Sequence, residues 1–88
     1  MQYLVTWDLE PSQRNFAQER FASEGAPPPE GIEVLTRWHL ATGRGGLCVA
    51  QTEDPVALGS WIQEWSQWMR FEIQPVLGDE DLVQVIGK

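Results

Sequence analysis

The sequence predicts an α+β protein of the ferredoxin-like type: β-α-β-β-α-β, a four-stranded antiparallel sheet carrying two helices on one face. Three observations point there. Four segments rich in β-branched and aromatic residues are separated, in that order, by two stretches of helical periodicity. A glycine-rich turn joins the middle two strands. The chain has 88 residues, the size of one domain, and carries no internal repeat, so residues 1–88 are expected to form a single unit.

The elements follow in order. Gln2 to Asp8 reads as the first strand, with Tyr3, Val5 and Trp7 alternating against Leu4, Thr6 and Asp8. Glu10-Pro11-Ser12 breaks it, and Ser12 is the expected N-cap of a helix over Gln13–Ser23. On that helix Phe16, Ala17, Arg20 and Phe21 span an arc of about 140°. Gly25 ends it, and Ala26-Pro27-Pro28-Pro29-Glu30-Gly31 is a stiff connector that no helix interior accepts. The second strand, Ile32–Ala41, alternates so that Ile32, Val34, Thr36, Trp38 and Leu40 share one face and Glu33, Leu35, Arg37 and His39 the other. Thr42-Gly43-Arg44-Gly45-Gly46 leads by hairpin into a third strand over Leu47–Glu53. A phosphate cradle would need a lysine-serine tail and a following helix, and neither is present.

Asp54-Pro55 is a strong helix start, with the acid as cap and proline at the first helical position. That helix is expected to reach Met69, with Leu58, Trp61, Ile62, Trp65, Trp68 and Met69 within an arc of about 120°. Phe71–Leu77 is the fourth strand, and Pro75 places it at a sheet edge or near its own end. Gly78-Asp79-Glu80-Asp81 is a break. The tail Leu82–Ile86 fits either a short helix capped by Asp79 or a strand.

Alternation gives the sheet two faces, and neither reads as a solvent face. One set holds Tyr3, Val5, Trp7, Ile32, Val34, Trp38, Leu40, Leu47, Val49, Phe71 and Ile73. The other mixes Leu4, Thr6, Leu35, Cys48, Ala50, Thr52 and Val76 with Arg37, His39, Glu72 and Gln74. Two helices cover only one side, so the expectation is a two-fold homodimer packed sheet to sheet. An Arg37–Glu72 pair between subunits would then become possible.

Composition narrows the function. Thirteen Asp plus Glu face six Lys plus Arg, a net charge of −7, which argues against nucleic acid, whose phosphates need basic residues to displace counterions. No apolar run approaches the ~20 residues of a bilayer span. There is no basic, apolar leader after Met1, and the lone Cys48 suits a reducing compartment, so a cytoplasmic protein without a membrane partner is expected. One histidine and one cysteine make no zinc set, and no metal or cofactor is expected.

His39 is the best candidate for catalysis, as a general base, and as an axial haem ligand it is a remote alternative. Arg37 is suited to bidentate contact with an anion, although an arginine on a partly buried face more often pairs with a carboxylate of its own chain. Arg20 interrupts an apolar stripe, where snorkelling is the simpler reading and a second anchor for an acidic ligand the sharper one. Trp61, Trp65 and Trp68 share a stripe and serve mainly as core, with Trp65 the one placed to touch a ligand. Cys48 is read as a buried small hydrophobe.

The stretch Pro28-Pro29-Glu30-Gly31-Ile32, then Leu35-Thr36-Arg37-Trp38-His39, then Trp61-x-x-x-Trp65, then Pro75-Val76-Leu77-x-Asp79-Glu80, resembles a family of short bacterial proteins known only as a domain of unknown function. The resemblance covers nearly the whole chain. That family is similar in architecture to the dimeric α+β barrels, which include small cofactor-free monooxygenases, muconolactone-type isomerases, haem-degrading enzymes and stress-responsive barrels. Architecture does not transfer chemistry. The leading expectation is a homodimeric barrel binding a small apolar or anionic molecule between helix and sheet, with Arg37, Trp38, His39 and Trp65 nearest to it. The alternatives are a cofactor-free monooxygenase- or isomerase-like enzyme with His39 as base, and a purely structural or interaction protein whose interior is filled.

Overall fold

A computed structural model describes residues 1–87. The order is β1 (Gln2–Leu9), α1 (Arg14–Glu24), β2 (Ile32–His39), β3 (Gly45–Thr52), α2 (Pro55–Trp65), β4 (Met69–Val76) and α3 (Asp79–Ile86). The four strands form one sheet in the order β2-β3-β1-β4, every neighbouring pair antiparallel. This is the ferredoxin-like α+β arrangement with a short third helix appended. β4 is an edge strand, which tolerates the missing N–H of Pro75.

Local chemistry sets the boundaries. The Asp54 carboxylate accepts hydrogen bonds from the backbone N–H groups of Val56 and Ala57, both at 3.0 Å, and Pro55 opens α2. Ser12 does not cap α1. Gln13 holds that place without a side-chain bond, because its N–H already donates to the Glu10 carbonyl in a tight turn that leaves Ser12 outside the helix. α2 stops at Trp65, short of the expected Met69. A turn over Ser66–Trp68 continues the winding, with Trp68 N–H on the Trp65 carbonyl, so Trp68 still falls against the core while Met69 starts β4 opposite Leu9. The tail is a helix, and its N-cap is Gly78. Asp79, Glu80 and Asp81 fill the first turn, where negative charge suits the helix dipole.

Strand faces depart from simple alternation in two places. Between Val34 and Thr36 the β2–β3 register slips by one residue: Val34 pairs with Ala50, Thr36 with Val49, and Leu35 has no partner. This bulge reverses the parity of everything after it. Ile32 and Val34 face the helices, and so do Arg37 and His39; Trp38 faces the other way and is 67% exposed. On β3, Cys48, Ala50 and Thr52 are buried along with Gly45 and Gly46, and Leu47 and Val49 lie on the face opposite Cys48. On β2 the expected sets hold for Ile32 and Val34 and reverse after the bulge; on β3 they are reversed throughout. An Arg37–Glu72 pair across two open faces is thereby excluded, since Arg37 faces the helices while Glu72 pairs with Thr6 on the far side.

The core sits between sheet and helices: Val5, Cys48 and Ala50 from the central strands, Leu58, Trp61 and Trp65 from α2, Ala17 from α1, with Ile32 and Met69 at strand starts. Phe16, expected in the α1 stripe, is 62% exposed; Ala17 and Phe21 carry the contact instead. Thr52 is the buried polar side chain. Its hydroxyl donates to the Gly31 carbonyl at 2.8 Å and accepts from Asp54 N–H at 2.9 Å, tying the end of β3 to the connector. α3 buries none of its residues.

Candidate functional site

The bulge in β2 and the glycines of β3 create a cavity. It lies between α1, α2 and the sheet, at the end where Trp7, Phe71 and His39 are neighbours, is partly open to solvent, and has a volume of about 270 Å³. Gly46 makes room for it. A Cβ there would lie 2.6 Å from Trp7 Cζ2 and 2.5 Å from the Trp38 carbonyl oxygen, so only glycine lets the indole lie flat on β3. Gly43, with φ +77°, turns the β2–β3 hairpin onto Arg14 and Gln18 of α1 and closes the rim.

The walls are aromatic. The His39 ring meets Phe21 edge-on at 4.9 Å between centroids and Trp7 at 5.9 Å; Trp7 in turn meets Phe71 at 6.4 Å. Trp61 and Trp65 close the α2 side. Trp65 is held from outside the cavity by Trp68, edge-on at 5.5 Å, and by Arg20, whose guanidinium carbon lies 5.0 Å from the Trp65 ring and 5.1 Å from that of Trp68. Arg20 also pairs with Glu24 and Glu64. It is therefore a staple between α1 and α2, and it offers no second anchor inside.

Arg37 enters the cavity from β2. Its Nη1 donates to the Ala26 carbonyl at 2.9 Å and its guanidinium carbon stands 5.3 Å from the Phe21 ring. Among the described residues it bonds to no carboxylate, contrary to the ordinary expectation for a half-buried arginine. Cys48 pairs with Arg37 across the ladder and is 2% exposed. Burial pushes its thiol pKa up, opposed in part by the Arg37 charge.

The structure thus brings Arg37, His39 and Trp65 to one cavity and puts Trp38 on the opposite side of the sheet. Sequence reading missed Trp7, Phe21 and Phe71 as walls. The usable signal was Gly46, a side-chain-free position on an inner strand, which marks a large neighbour. Among the described residues, no group of three or more His, Cys, Asp or Glu is placed to hold a metal ion. No helix among them is long and apolar enough to cross a membrane.

The opposite face of the sheet carries Leu4, Leu47 and Val49, which are partly buried, and Trp38, which is exposed. Leu35 on β2, and Leu82, Val83, Val85 and Ile86 of α3, are also exposed.

Over residues 1–88 the chain matches the family described as Domain of unknown function (DUF3303), and it belongs to that family. No curated protein matches it. Among solved structures the fold matches the "Putative antibiotic biosynthesis monooxygenase from Nitrosomonas europaea", with a TM-score of 0.52 and 12% identity over 89% of this chain and 100% of that one. Identity that low shows a shared fold and nothing about chemistry.

Proposed function

We propose that this member of the DUF3303 family is a homodimeric α+β barrel in which each subunit binds one small apolar or anionic molecule between its helices and its sheet. One observation carries the binding half: a cavity of about 270 Å³ walled by aromatic rings, into which project an imidazole and a guanidinium that has no carboxylate partner among the described residues. A hydrophobic pocket with a few convergent polar groups is the usual form of a small-molecule site.

Two uncovered surfaces support the dimer. On β2 Leu35 and Trp38 stand exposed, and α3 buries none of its residues. The radius of gyration is 14.4 Å, whereas a compact domain of this length has about 12 Å. The excess is what a chain shows when part of it reaches away from its own core. A second copy, related by a two-fold axis, would cover the sheet face and give α3 something to pack on.

Native mass spectrometry of protein purified from its own host tests both halves at once. The expected species has twice the 10.0 kDa chain mass and carries bound small molecules. A bare single chain at high loading would overturn the dimer and leave the open face unexplained.

A second reading is favoured by the position of His39 in the cavity wall: a cofactor-free oxygenase in which His39 acts as general base toward a bound phenol. Its mark is oxygen uptake with a dihydroxynaphthalene that disappears in His39→Gln while binding of the same compound persists.

A further inference from the structure

We infer that the cavity is built for a monoanionic molecule with a flat body of one or two rings, its carboxylate held at the Arg37–His39 end; this rests on the cavity being a binding site at all. The first argument is charge. The chain carries 13 carboxylates and only five arginines and one lysine, so a cavity lined without regard to charge would be expected to include acids. Among the described residues, this one is lined by Arg37 and His39 and by no Asp or Glu.

The second argument is unused bonding capacity. A guanidinium has five N–H groups, and among the described residues a partner is found for one of them, at the Ala26 carbonyl. A half-buried cation without a counter-ion is costly, and a carboxylate accepting two parallel bonds relieves that cost. Arg37 and His39 alternate along β2, which sets their Cα atoms about 7 Å apart on one face. Both side chains touch the Phe21 ring, so they converge on one end of the cavity.

Shape is the third. The rings of Phe21, His39, Trp7 and Phe71 run in a chain of edge-on and tilted contacts, and Trp65 lines the same cavity. Such a slot favours a flat apolar body. Its volume falls just below the ~300–1,000 Å³ typical of pockets for drug-sized molecules, which restricts the body to one or two rings. Arg14 beside Gly43 at the rim puts one more positive charge near the entrance, which favours an anion there.

The test uses a matched pair of probes on the native protein: naphthalene-2-carboxylate and naphthalene-2-carboxamide, equal in shape and different in charge, followed by titration calorimetry. The carboxylate is expected to bind at least tenfold more tightly, and Arg37→Gln to erase that difference. Arg37→Lys, which keeps the charge and loses the fork, should fall between. Equal binding of the two probes overturns the anion assignment and leaves the cavity as a general apolar site. Failure of both to bind the folded protein overturns the binding reading together with this one. The comparison between probes needs no variant, so it stands even if Arg37→Gln folds poorly.

Discussion

Deleting Leu35 tests the feature on which the site depends. Leu35 is the extra residue of the β2 bulge and has no partner on β3. Without it, Val34 would be followed directly by Thr36 in an unbroken ladder, and Arg37 would still face Cys48 and His39 still face Gly46. The deletion should therefore leave both side chains in the cavity, although losing one strand residue would ordinarily be expected to turn every later side chain to the other face. The energetic cost is small and can be sized. Leu35 is 46% exposed, so it contributes about half of the ~1.5–3 kcal/mol of a fully buried leucine, or about 1 kcal/mol. For a domain of this length that is a fall in Tm of about 4–8 °C. Thermal melts followed by circular dichroism measure the loss, and nuclear Overhauser contacts between the His39 and Phe21 rings report the face, in native and deleted proteins alike. Absence of that contact in the native protein, or its replacement after deletion by a Trp38–Phe21 contact, would refute the bulge as the cause of the site.

Other substitutions probe the surrounding frame. Asp54→Ala removes the carboxylate that caps α2 and should cost about 1 kcal/mol, read as a lower urea midpoint at unchanged slope. Gly46→Ala forces a methyl group onto the Trp7 ring and should cost about 1–3 kcal/mol, with a change in tryptophan emission as the indole is displaced. Cys48 should resist iodoacetamide at neutral pH until the protein unfolds, because a buried thiol with a raised pKa supplies neither access nor thiolate. The same shift fixes a pH trend. The folded state keeps the Cys48 proton after the unfolded chain has lost it, so this group leaves stability untouched below the unfolded thiol's pKa and lowers it as pH rises from there through the folded value. Urea midpoints between pH 7 and 10 should fall less steeply in Cys48→Ala.

Much of this architecture is written in local sequence. The element order follows from alternation and periodicity, the start of α2 from Asp54-Pro55, and the restriction of β4 to a sheet edge or a strand end near Pro75 from its missing N–H, because each of these is a short-range constraint on backbone angles or backbone hydrogen bonds. The membership of Arg37, His39 and Trp65 among residues worth watching was likewise visible in their types. Which side of the sheet they occupy was not. Alternation is a rule with a period of two, and a single unpaired residue at position 35 inverts it for the rest of the strand; whether a strand accommodates an extra residue is settled by its neighbour's register, which no stretch of β2 contains. The same holds for β3, where small residues such as Cys48 and Ala50 read as the weaker face. They are the buried ones because Trp61 and Trp65 pack from α2 and need thin strands beneath them. The end of α2 and the helical tail belong to this group too, since a helix stops where packing of the next strand begins. Sequence set the parts and their order; the pairing between strands decided which side chains meet in the cavity.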